Sequence, residues 1–273
     1  MMDGRTCLVT GANSGIGRET ALALAKMNAR VVMVCRNKQK GESMRDEISR
    51  ASGNTSVDLL LCDLSSLANV RGLAAEVQER YERLHVLVNN AGLFSFSGRT
   101  PDGFEPTFEV DYLAPFLLTN LLLGLLKASA PARVVNVASA AHYGGHVDLA
   151  AIERKETPSG WSAYSNSKLE LVMFTYELAR RLRGTGVTAN CLHPGAVATH
   201  IWKMPPAVVR PFLRSAKKGA ETSVYLASSP EVETTSGEYF DDKSPKRSSE
   251  ESYDEGKARA LWELTARLVG LSE

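Results

Sequence analysis

A tyrosine and a lysine stand four residues apart in the segment YSNSK (164–168), a spacing that places two side chains on the same face of a helix. A phenol with a pKa near ~10 exchanges protons poorly at neutral pH. A positive charge at about 4 Å, with an effective dielectric constant of about 20, contributes roughly 4 kcal/mol and lowers the pKa of a phenol by up to about 3 units. Tyr164 beside Lys168 is therefore predicted to act as a general acid and base.

The same spacing arises by chance on solvated helices, so its meaning depends on the elements around it. One such element is a glycine-rich segment, TGANSGIG (10–17), which follows an apolar strand at 6–10 and precedes a helix rich in alanine and leucine. Strand, glycine loop and helix form the setting in which a dinucleotide pyrophosphate binds a helix N-terminus. The predicted contacts with the cofactor in this loop are Gly11, Asn13, Ser14, Gly15, Ile16 and Gly17.

The end of the second strand (30–35) indicates which dinucleotide is bound. An acidic residue at this position accepts the ribose hydroxyls of NAD, but the sequence here is CRN (35–37). Arg36 offers a planar fork of donors that suits a 2′-phosphate, which favours NADP(H). The alternative is a solvated basic turn that merely fails to exclude the phosphate.

Two further strands add candidate contacts. The third (57–62) ends at Asp63 and Leu64, where Asp63 is either the N-cap of a helix starting near residue 65 or a contact with adenine. The fourth ends in NNAG (89–92), and its paired asparagines are predicted to link neighbouring strands beside the cofactor, because buried amides need hydrogen-bond partners. A long helix (109–127), bent at Pro115, and a strand (133–138) then deliver Ser139. The cofactor contacts predicted here are Asp63, Leu64, Asn90, Ala91 and Gly92.

The composition limits the kind of partner. The 273 residues include 32 lysines and arginines against 31 aspartates and glutamates, a net charge of +1, so the chain lacks the basic field that nucleic acid requires and a small molecule is the expected partner. No break in composition divides the chain, which predicts one domain. The first strand follows closely on the start, and the longest apolar run (116–126) is too short for a bilayer. We expect a cytoplasmic protein with no integral membrane segment.

The four cysteines are widely spaced in apolar runs, without a CxxC pair, and are expected to be buried free thiols. The five histidines form no ligand pair of the HExxH type, and no metal site is predicted.

Several motifs in this order resemble the short-chain dehydrogenase/reductase family over essentially the whole chain: TGANSGIG, NNAG, Ser139, the YSNSK pair and PG at 194–195. The segments CRN (35–37), FLLTN (116–120) and SGEYF (236–240) look most like its retinol dehydrogenase and protochlorophyllide reductase-like branch. The resemblance implies an α/β fold, a Rossmann-like doubly wound parallel sheet of about seven strands with helices on both faces. Residues 1–140 would form mainly the dinucleotide-binding half, and residues 141–273 the catalytic and substrate-binding half.

The resemblance also implies roles for single residues. Ser139 would hydrogen-bond the substrate oxygen, Tyr164 would exchange the proton, and Lys168 would bind the nicotinamide ribose while lowering the pKa of Tyr164. The nicotinamide end of the cofactor would be held by Pro194, Gly195 and Thr199. Relatives form oligomers largely through the helix that carries the catalytic pair and its successor, so a homodimer or homotetramer is expected.

One residue departs from the family pattern. Where the family usually has an asparagine in the long central helix, completing a catalytic tetrad, this chain has Asp111. If the family role rests on the main-chain carbonyl at a helix distortion, the exchange is tolerable. If the carboxylate instead pairs with Lys168, it weakens the field on Tyr164 and raises the pKa of that phenol. We predict activity with an altered pH optimum.

Substrate specificity is expected to come from the segments after strands four, five and six. An apolar stretch at 201–213 is either a lid over a hydrophobic carbonyl or ordinary packing, the segment 148–160 is predicted to be a solvent loop, and a capping box SYDE (252–255) begins a final helix. The candidate substrate contacts are Phe94, His142, Tyr143 and Trp202.

These features together predict an NADP(H)-dependent oxidoreductase that interconverts an alcohol and an aldehyde or ketone with an apolar substrate. Two alternatives stay open: a cofactor-binding regulatory protein without turnover, and a reductase of carbon-carbon double bonds.

Overall fold

The computed structural model describes residues 2–156, 158–197 and 214–271. The described part of the chain contains one eight-stranded sheet in the order 3-2-1-4-5-6-7-8, with seven parallel strands and an antiparallel β8. This confirms the predicted doubly wound fold and adds a short eighth strand. The strands are β1 Thr6–Thr10, β2 Arg30–Cys35, β3 Val57–Leu61, β4 Val86–Asn89, β5 Ala132–Val137, β6 Val187–His193, β7 Tyr239–Asp241 and β8 Ser244–Pro245.

The central strands are buried on both faces, which is why they read as continuous apolar runs. Alternate side chains enter opposite cores: Leu8 of β1 points to one face, while Cys7 and Val9 point to the other. One face carries α1 Gly15–Lys26, α2 Lys38–Ser52 and α7 Ala216–Ser228. The other carries α3 Leu67–Arg80, the long central helical run and α6 Gly160–Arg181. All four cysteines are buried and free, as expected.

The central helical run is continuous but changes its register. It consists of an α-helical turn Pro106–Phe108, a π-helical segment Glu109–Leu113 and α4 Ala114–Ala128. Within it the N–H of Ala114 reaches the carbonyl of Glu109, five residues back. Pro115 has no N–H to donate to the carbonyl of Asp111, four residues earlier, so the α-helical pattern cannot be kept here. The predicted distortion therefore lies just before Pro115 and centres on Asp111.

The run Pro106–Ala128 is also long and apolar enough to cross a membrane by length and composition. Within the fold, however, 72% of the 18-residue apolar stretch of this run is buried, and α4 packs against both the sheet and α3. Its apolar character is thus accounted for by a core position.

Two boundaries differ from the predictions. The segment expected to be a solvent loop contains a short helix, α5 Leu149–Glu153, because Asp148 caps it by accepting a hydrogen bond from the N–H of Ala151 at 3.0 Å. The final helix, α8 Glu255–Leu268, begins after Asp254, whose carboxylate accepts from the N–H of Lys257 at 2.9 Å. The prediction that the final helix begins with a capping box at Ser252 was therefore wrong by two residues.

Candidate active site

The catalytic candidates meet at the carboxyl end of the sheet. Tyr164 and Lys168 lie on α6, both about 5% exposed or less, and the ammonium nitrogen of Lys168 is 5.5 Å from the centroid of the Tyr164 ring. Ser139 follows β5 and caps the next turn by accepting a hydrogen bond from the N–H of Ala141 at 3.2 Å. The Ser139 hydroxyl also hydrogen-bonds the Tyr164 side chain. The fold therefore brings together Ser139, Tyr164 and Lys168, the three residues that the sequence motifs predicted.

Asp111 completes this group through its carboxylate. One carboxylate oxygen lies 2.9 Å from the ammonium of Lys168, and the other accepts a hydrogen bond from the N–H of Leu93 at 2.7 Å. Lys168 also donates to the carbonyl of Val137 at 3.2 Å. The Asp111 side chain is fully buried, so the ion pair is shielded from water. Of the two alternatives posed by the sequence, the helix distortion is present and the carboxylate pairs with Lys168 as well.

This pairing sets the electrostatics around the phenol. Burial raises the pKa of Tyr164; the Lys168 charge works to lower it and the Asp111 charge to raise it further. Burial works to lower the pKa of Lys168, but Asp111 and Tyr164 outweigh it and the pKa is raised. Lys168 therefore stays charged, while part of its effect on Tyr164 is cancelled by Asp111.

Among the described residues on the same side of the sheet, three other buried carboxyl groups form no ion pair. Burial raises the pKa of Glu105 and of Glu170, and it raises the pKa of Glu109 to about 7. A buried carboxyl without a cationic partner is stabilised in its protonated, neutral form. Asp111, which faces Lys168 directly, is therefore the carboxylate that most affects the charge at Tyr164.

The glycine loop is shaped by close approach to β4. Gly11 has φ +67°, and a Cβ atom there would lie 2.9 Å from Cα of Ala91, while a Cβ on Gly17 would collide with the carbonyl of Gly11. Asn90 donates from its side chain to the carbonyl of Thr10 at 2.7 Å, and the N–H groups of Asn90 and Ala91 both donate to the Thr10 hydroxyl at 3.0 Å. Asn90 therefore links β1 to β4, as predicted, and fixes the loop beside Ala91 and Gly92.

The start of α1 suits an anion. Ser14 precedes the helix in an extended conformation, its side chain forms no cap hydrogen bond, and the first turn contains no acidic residue. Asn13 is half-buried and Gly15 has φ +55°. Ile16 packs in a small cluster with Val197, which places the segment carrying Pro194 and Gly195 beside the loop. The N–H groups in the first turn of α1, together with the glycine loop that has no room for Cβ atoms, suit a dinucleotide pyrophosphate.

Arg36 and Asp63 end adjacent strands at this same edge. The Arg36 side chain is 74% exposed and lies 3.7 Å from the carboxylate of Asp63. Asp63 accepts hydrogen bonds from the N–H and the hydroxyl of Ser65, at 3.1 and 2.7 Å, whereas the N-cap of α3 is Ser66. The N-cap alternative for Asp63 was therefore wrong. Leu64 is buried in the core, so any contact with a cofactor would come from its backbone.

Two aromatic rings pack against Tyr164. The Phe94 ring lies 5.7 Å from the Tyr164 ring, and the Trp161 ring lies 6.0 Å from it, between centroids. Phe96 packs edge-on against Phe94 at 4.9 Å. Trp161 was not among the sequence candidates, although its position one helical turn before Tyr164 places both on one face of α6. These rings give the approach to Tyr164 an apolar wall.

The other substrate candidates lie elsewhere. His142 is fully buried, with one ring nitrogen 2.7 Å from the carbonyl of Ser139 and the other accepting from the N–H of Ser249 at 3.2 Å. It braces the Ser139 turn, and a substrate cannot reach its ring. Tyr143 is half exposed and donates to the carbonyl of Arg247 at 2.5 Å. Thr199, Trp202 and the stretch 201–213 lie outside the described residues.

Among the residues described, His, Cys, Asp and Glu form no group of three that could hold a metal ion.

The chain is similar to several known proteins. A family model described as short chain dehydrogenase matches residues 5–206. Retinol dehydrogenase 14 of Homo sapiens is 43% identical, covering 99% of this chain and 88% of its own. An uncharacterized protein of Mycobacterium paratuberculosis has a crystal structure with a TM-score of 0.81 and 33% identity, covering 99% of this chain and 95% of its own. A Shigella flexneri short chain dehydrogenase complexed with NADP gives a TM-score of 0.73 at 25% identity, covering 89% and 98%.

Proposed function

The chain belongs to the short-chain dehydrogenase family, in its retinol dehydrogenase-like branch, and from this premise we propose that it is an NADP(H)-dependent oxidoreductase that interconverts an apolar alcohol and its aldehyde or ketone. The observation that supports the proposal most is that Ser139 lies with the buried pair Tyr164 and Lys168 at the carboxyl end of the sheet, which also carries the glycine cradle. Hydride transfer to a carbonyl needs a cofactor site, an acid that can give up a proton and a hydrogen-bond donor to the carbonyl oxygen, all close together.

Each residue has a part in the proposed reaction. The nicotinamide supplies or accepts the hydride when it is bound. Ser139 donates a hydrogen bond to the substrate oxygen and holds it beside the Tyr164 hydroxyl, which gives up its proton as the carbonyl is reduced. Lys168 keeps a positive charge near the phenol oxygen and lowers the cost of that proton transfer, to the extent that Asp111 leaves its charge uncancelled.

The preference for NADP(H) is proposed from Arg36. Its exposed guanidinium, with Asp63 at 3.7 Å, ends β2 where an acidic residue would select NAD. We expect Arg36→Ala to raise KM for NADPH by about 10-fold or more, because charge-assisted hydrogen bonds contribute about 1.5–3 kcal/mol, and to change KM for NADH little. Steady-state kinetics with both cofactors measure this, with Arg45→Ala as the control, since Arg45 is a partly exposed arginine of α2. Equal losses for both cofactors would remove the 2′-phosphate assignment.

The apolar substrate is proposed from the wall that Phe94, Phe96 and Trp161 form around Tyr164, and from the similarity to proteins named retinol dehydrogenases. The ion pair between Asp111 and Lys168 is the observation that favours a second candidate, a regulatory protein that binds the cofactor without turnover, because it weakens the charge on which Tyr164 depends.

The test of the proposed function is oxidation of NADPH at neutral pH with aldehydes and ketones graded in size and polarity, including all-trans-retinal. Turnover that rises with the apolar size of the substrate supports the proposal. Tight binding of NADPH, measured by fluorescence, without turnover on any of these carbonyls would favour the regulatory candidate.

A further inference from the structure

A histidine side chain continues the hydrogen bonding between β5 and β6 past the end of β5. Just beyond that strand the N–H of Ala138 still donates to a β6 carbonyl, that of Leu192, at 2.8 Å. Two residues later the N–H of Ala140 donates instead to the imidazole Nδ1 of His193, the last residue of β6, at 3.0 Å. The backbone on both sides of Ser139 is therefore held against β6.

A second histidine holds the same peptide group from its other end. The peptide group between Ser139 and Ala140 consists of the N–H that His193 accepts and of the Ser139 carbonyl, which lies 2.7 Å from Nδ1 of His142. We call these two imidazoles and the peptide group between them the peptide clamp. Both hydrogen-bonding groups of the peptide that follows Ser139 are thus bound by side chains.

The hydrogen bonds fix which nitrogen of each imidazole carries the proton. The N–H of Ser249 donates to Nε2 of His142 at 3.2 Å, so the proton of this ring is on Nδ1, and the Ser139 carbonyl accepts it. Nδ1 of His193 accepts from Ala140, so the proton of that ring is on Nε2. A charged imidazole donates from both nitrogens and would turn a donor toward one of these N–H groups. The clamp therefore needs both rings neutral.

The surroundings of His142 keep its ring fixed and uncharged. The ring is fully buried, and its centroid lies 4.1 Å from that of Tyr143 and 4.7 Å from that of Tyr239. Burial lowers the pKa of His142, although its hydrogen bond to Ser139 works to raise that pKa. The tautomer that holds the Ser139 carbonyl is therefore the stable form at neutral pH.

The surroundings of His193 also favour the neutral ring. Burial lowers the pKa of His193. The Asp241 carboxylate of β7 works to raise this pKa, but that carboxylate is already bound to the ammonium of Lys246 at 2.7 Å. Arg214, His142 and Lys246 work to lower it. The result is a pKa below the ordinary value, so Nδ1 is free to accept from Ala140.

We propose that His142 and His193 are positioning residues that hold the Ser139 hydroxyl in place for the substrate oxygen by fixing the peptide group that follows it. The inference rests on the proposed function, which gives this hydroxyl a part in carbonyl reduction. A donor that is already in place stabilises the developing charge without having to reorient. A released peptide group would let the Ser139 backbone rotate and carry the hydroxyl away from Tyr164.

A double-mutant cycle between His193 and Ser139 tests the proposal. His193→Ala should lower kcat for an apolar aldehyde by about 10- to 100-fold, because displacement of a reacting group by about 1 Å costs about 10²-fold. In a Ser139→Ala background the same change should alter kcat by about twofold at most, because the hydroxyl that it positions is gone. A loss in that background as large as in the unmodified protein would overturn the proposal.

Conservative variants show whether the hydrogen bond itself matters. The side-chain oxygen of His193→Asn can accept from Ala140 in place of Nδ1, so this variant should regain most of the activity that His193→Ala loses. His142→Asn keeps a donor for the Ser139 carbonyl and should likewise exceed His142→Ala, with the Kd for NADPH changed by about twofold at most in both. If His142→Ala does not fold, the His193 series decides. Asparagine variants no more active than the alanine variants would overturn the proposal.

His85 supplies the matched control. This buried histidine accepts a hydrogen bond from the N–H of Thr6 at 3.0 Å, also through Nδ1, but at the opposite end of the sheet. Its replacement removes the same kind of hydrogen bond far from Ser139, so His85→Ala should lower Tm and leave kcat unchanged. A kcat that falls as far as in His193→Ala would mean that lost stability explains both results, and the positioning role would be refuted.

NMR of the imidazole nitrogens tests the clamp without any substrate. At neutral pH, ¹⁵N correlation spectra of the full chain with NADPH bound should show His142 protonated at Nδ1 and His193 at Nε2. The opposite tautomers, or charged rings, in a protein that turns over would overturn the clamp and leave the proposed function intact. Absence of turnover in the unmodified protein would instead overturn the proposed function, and with it the positioning role, even if both tautomers are as expected.

Discussion

Tyr164→Phe is expected to lower kcat for carbonyl reduction by about 10²- to 10⁴-fold, the range that a general acid contributes. The change removes the hydroxyl and keeps the ring, which packs against Phe94 and Trp161. Because the glycine cradle and α1 are untouched, the Kd for NADPH should change by about twofold at most. Steady-state rates and fluorescence titration with NADPH measure the two quantities.

The control for this variant is Tyr176→Phe. Tyr176 lies on the same helix, and its hydroxyl is hydrogen-bonded to Ser248 at 2.7 Å, away from the cofactor cradle. Its loss should lower stability without changing kcat. A Tyr164→Phe protein that retains a tenth or more of the activity would mean that the proton comes from another group.

Asp111→Asn is expected to move the pH-rate profile to lower pH, because removal of the negative charge lowers the pKa of Tyr164. Alcohol oxidation requires the phenolate, so its rising limb moves to lower pH. Carbonyl reduction requires the protonated phenol, so the pH at which its rate falls moves down as well. Initial rates measured in both directions across the pH range report these limbs.

The same substitution should cost stability. It leaves the buried ammonium of Lys168 without its carboxylate, and breaking a buried ion pair typically costs about 3–5 kcal/mol. Thermal unfolding should therefore show a lower Tm than the unmodified protein. Glu109→Gln is the control for the kinetics, since this buried carboxyl neighbours Asp111 in the chain and does not pair with Lys168. An unmoved profile for Asp111→Asn, or one moved to higher pH, would contradict our interpretation of the ion pair.

The features that the sequence predicted depend on local pattern. Continuous apolar strands, the loop at 10–17 and the spacing of Tyr164 and Lys168 carry enough local information to place the sheet, the cradle and the catalytic helix. Even the distortion beside Asp111 follows from the position of Pro115, four residues later, which cannot donate to the Asp111 carbonyl. The hydrogen bond from the Asn90 side chain to β1 was predictable, because an amide at the end of a buried strand needs partners.

The features that the sequence did not predict depend on contacts between distant segments. The apolar positions on α8 indicate that this helix packs on the rest of the fold. They do not indicate that the Trp262 ring contacts both Phe116 and Phe174. His142 was predicted to contact the substrate, because the sequence does not show that the N–H of Ser249 donates to its second ring nitrogen. Likewise the spacing could not decide whether Asp111 pairs with Lys168, since the two lie on different helices and meet only when both pack on the sheet.

The central claim is hydride transfer between NADP(H) and a carbonyl carbon, and its most direct test follows the hydride itself. NADPH carrying deuterium at the transferred position is incubated with the protein and an apolar aldehyde, and the product is analysed by mass spectrometry and NMR. We expect one deuterium on the carbinol carbon in the unmodified protein, and formation of the same product about 10²- to 10⁴-fold more slowly with Tyr164→Phe. Deuterium found only on a carbon of a former double bond, or absent from the product altogether, would contradict the claim.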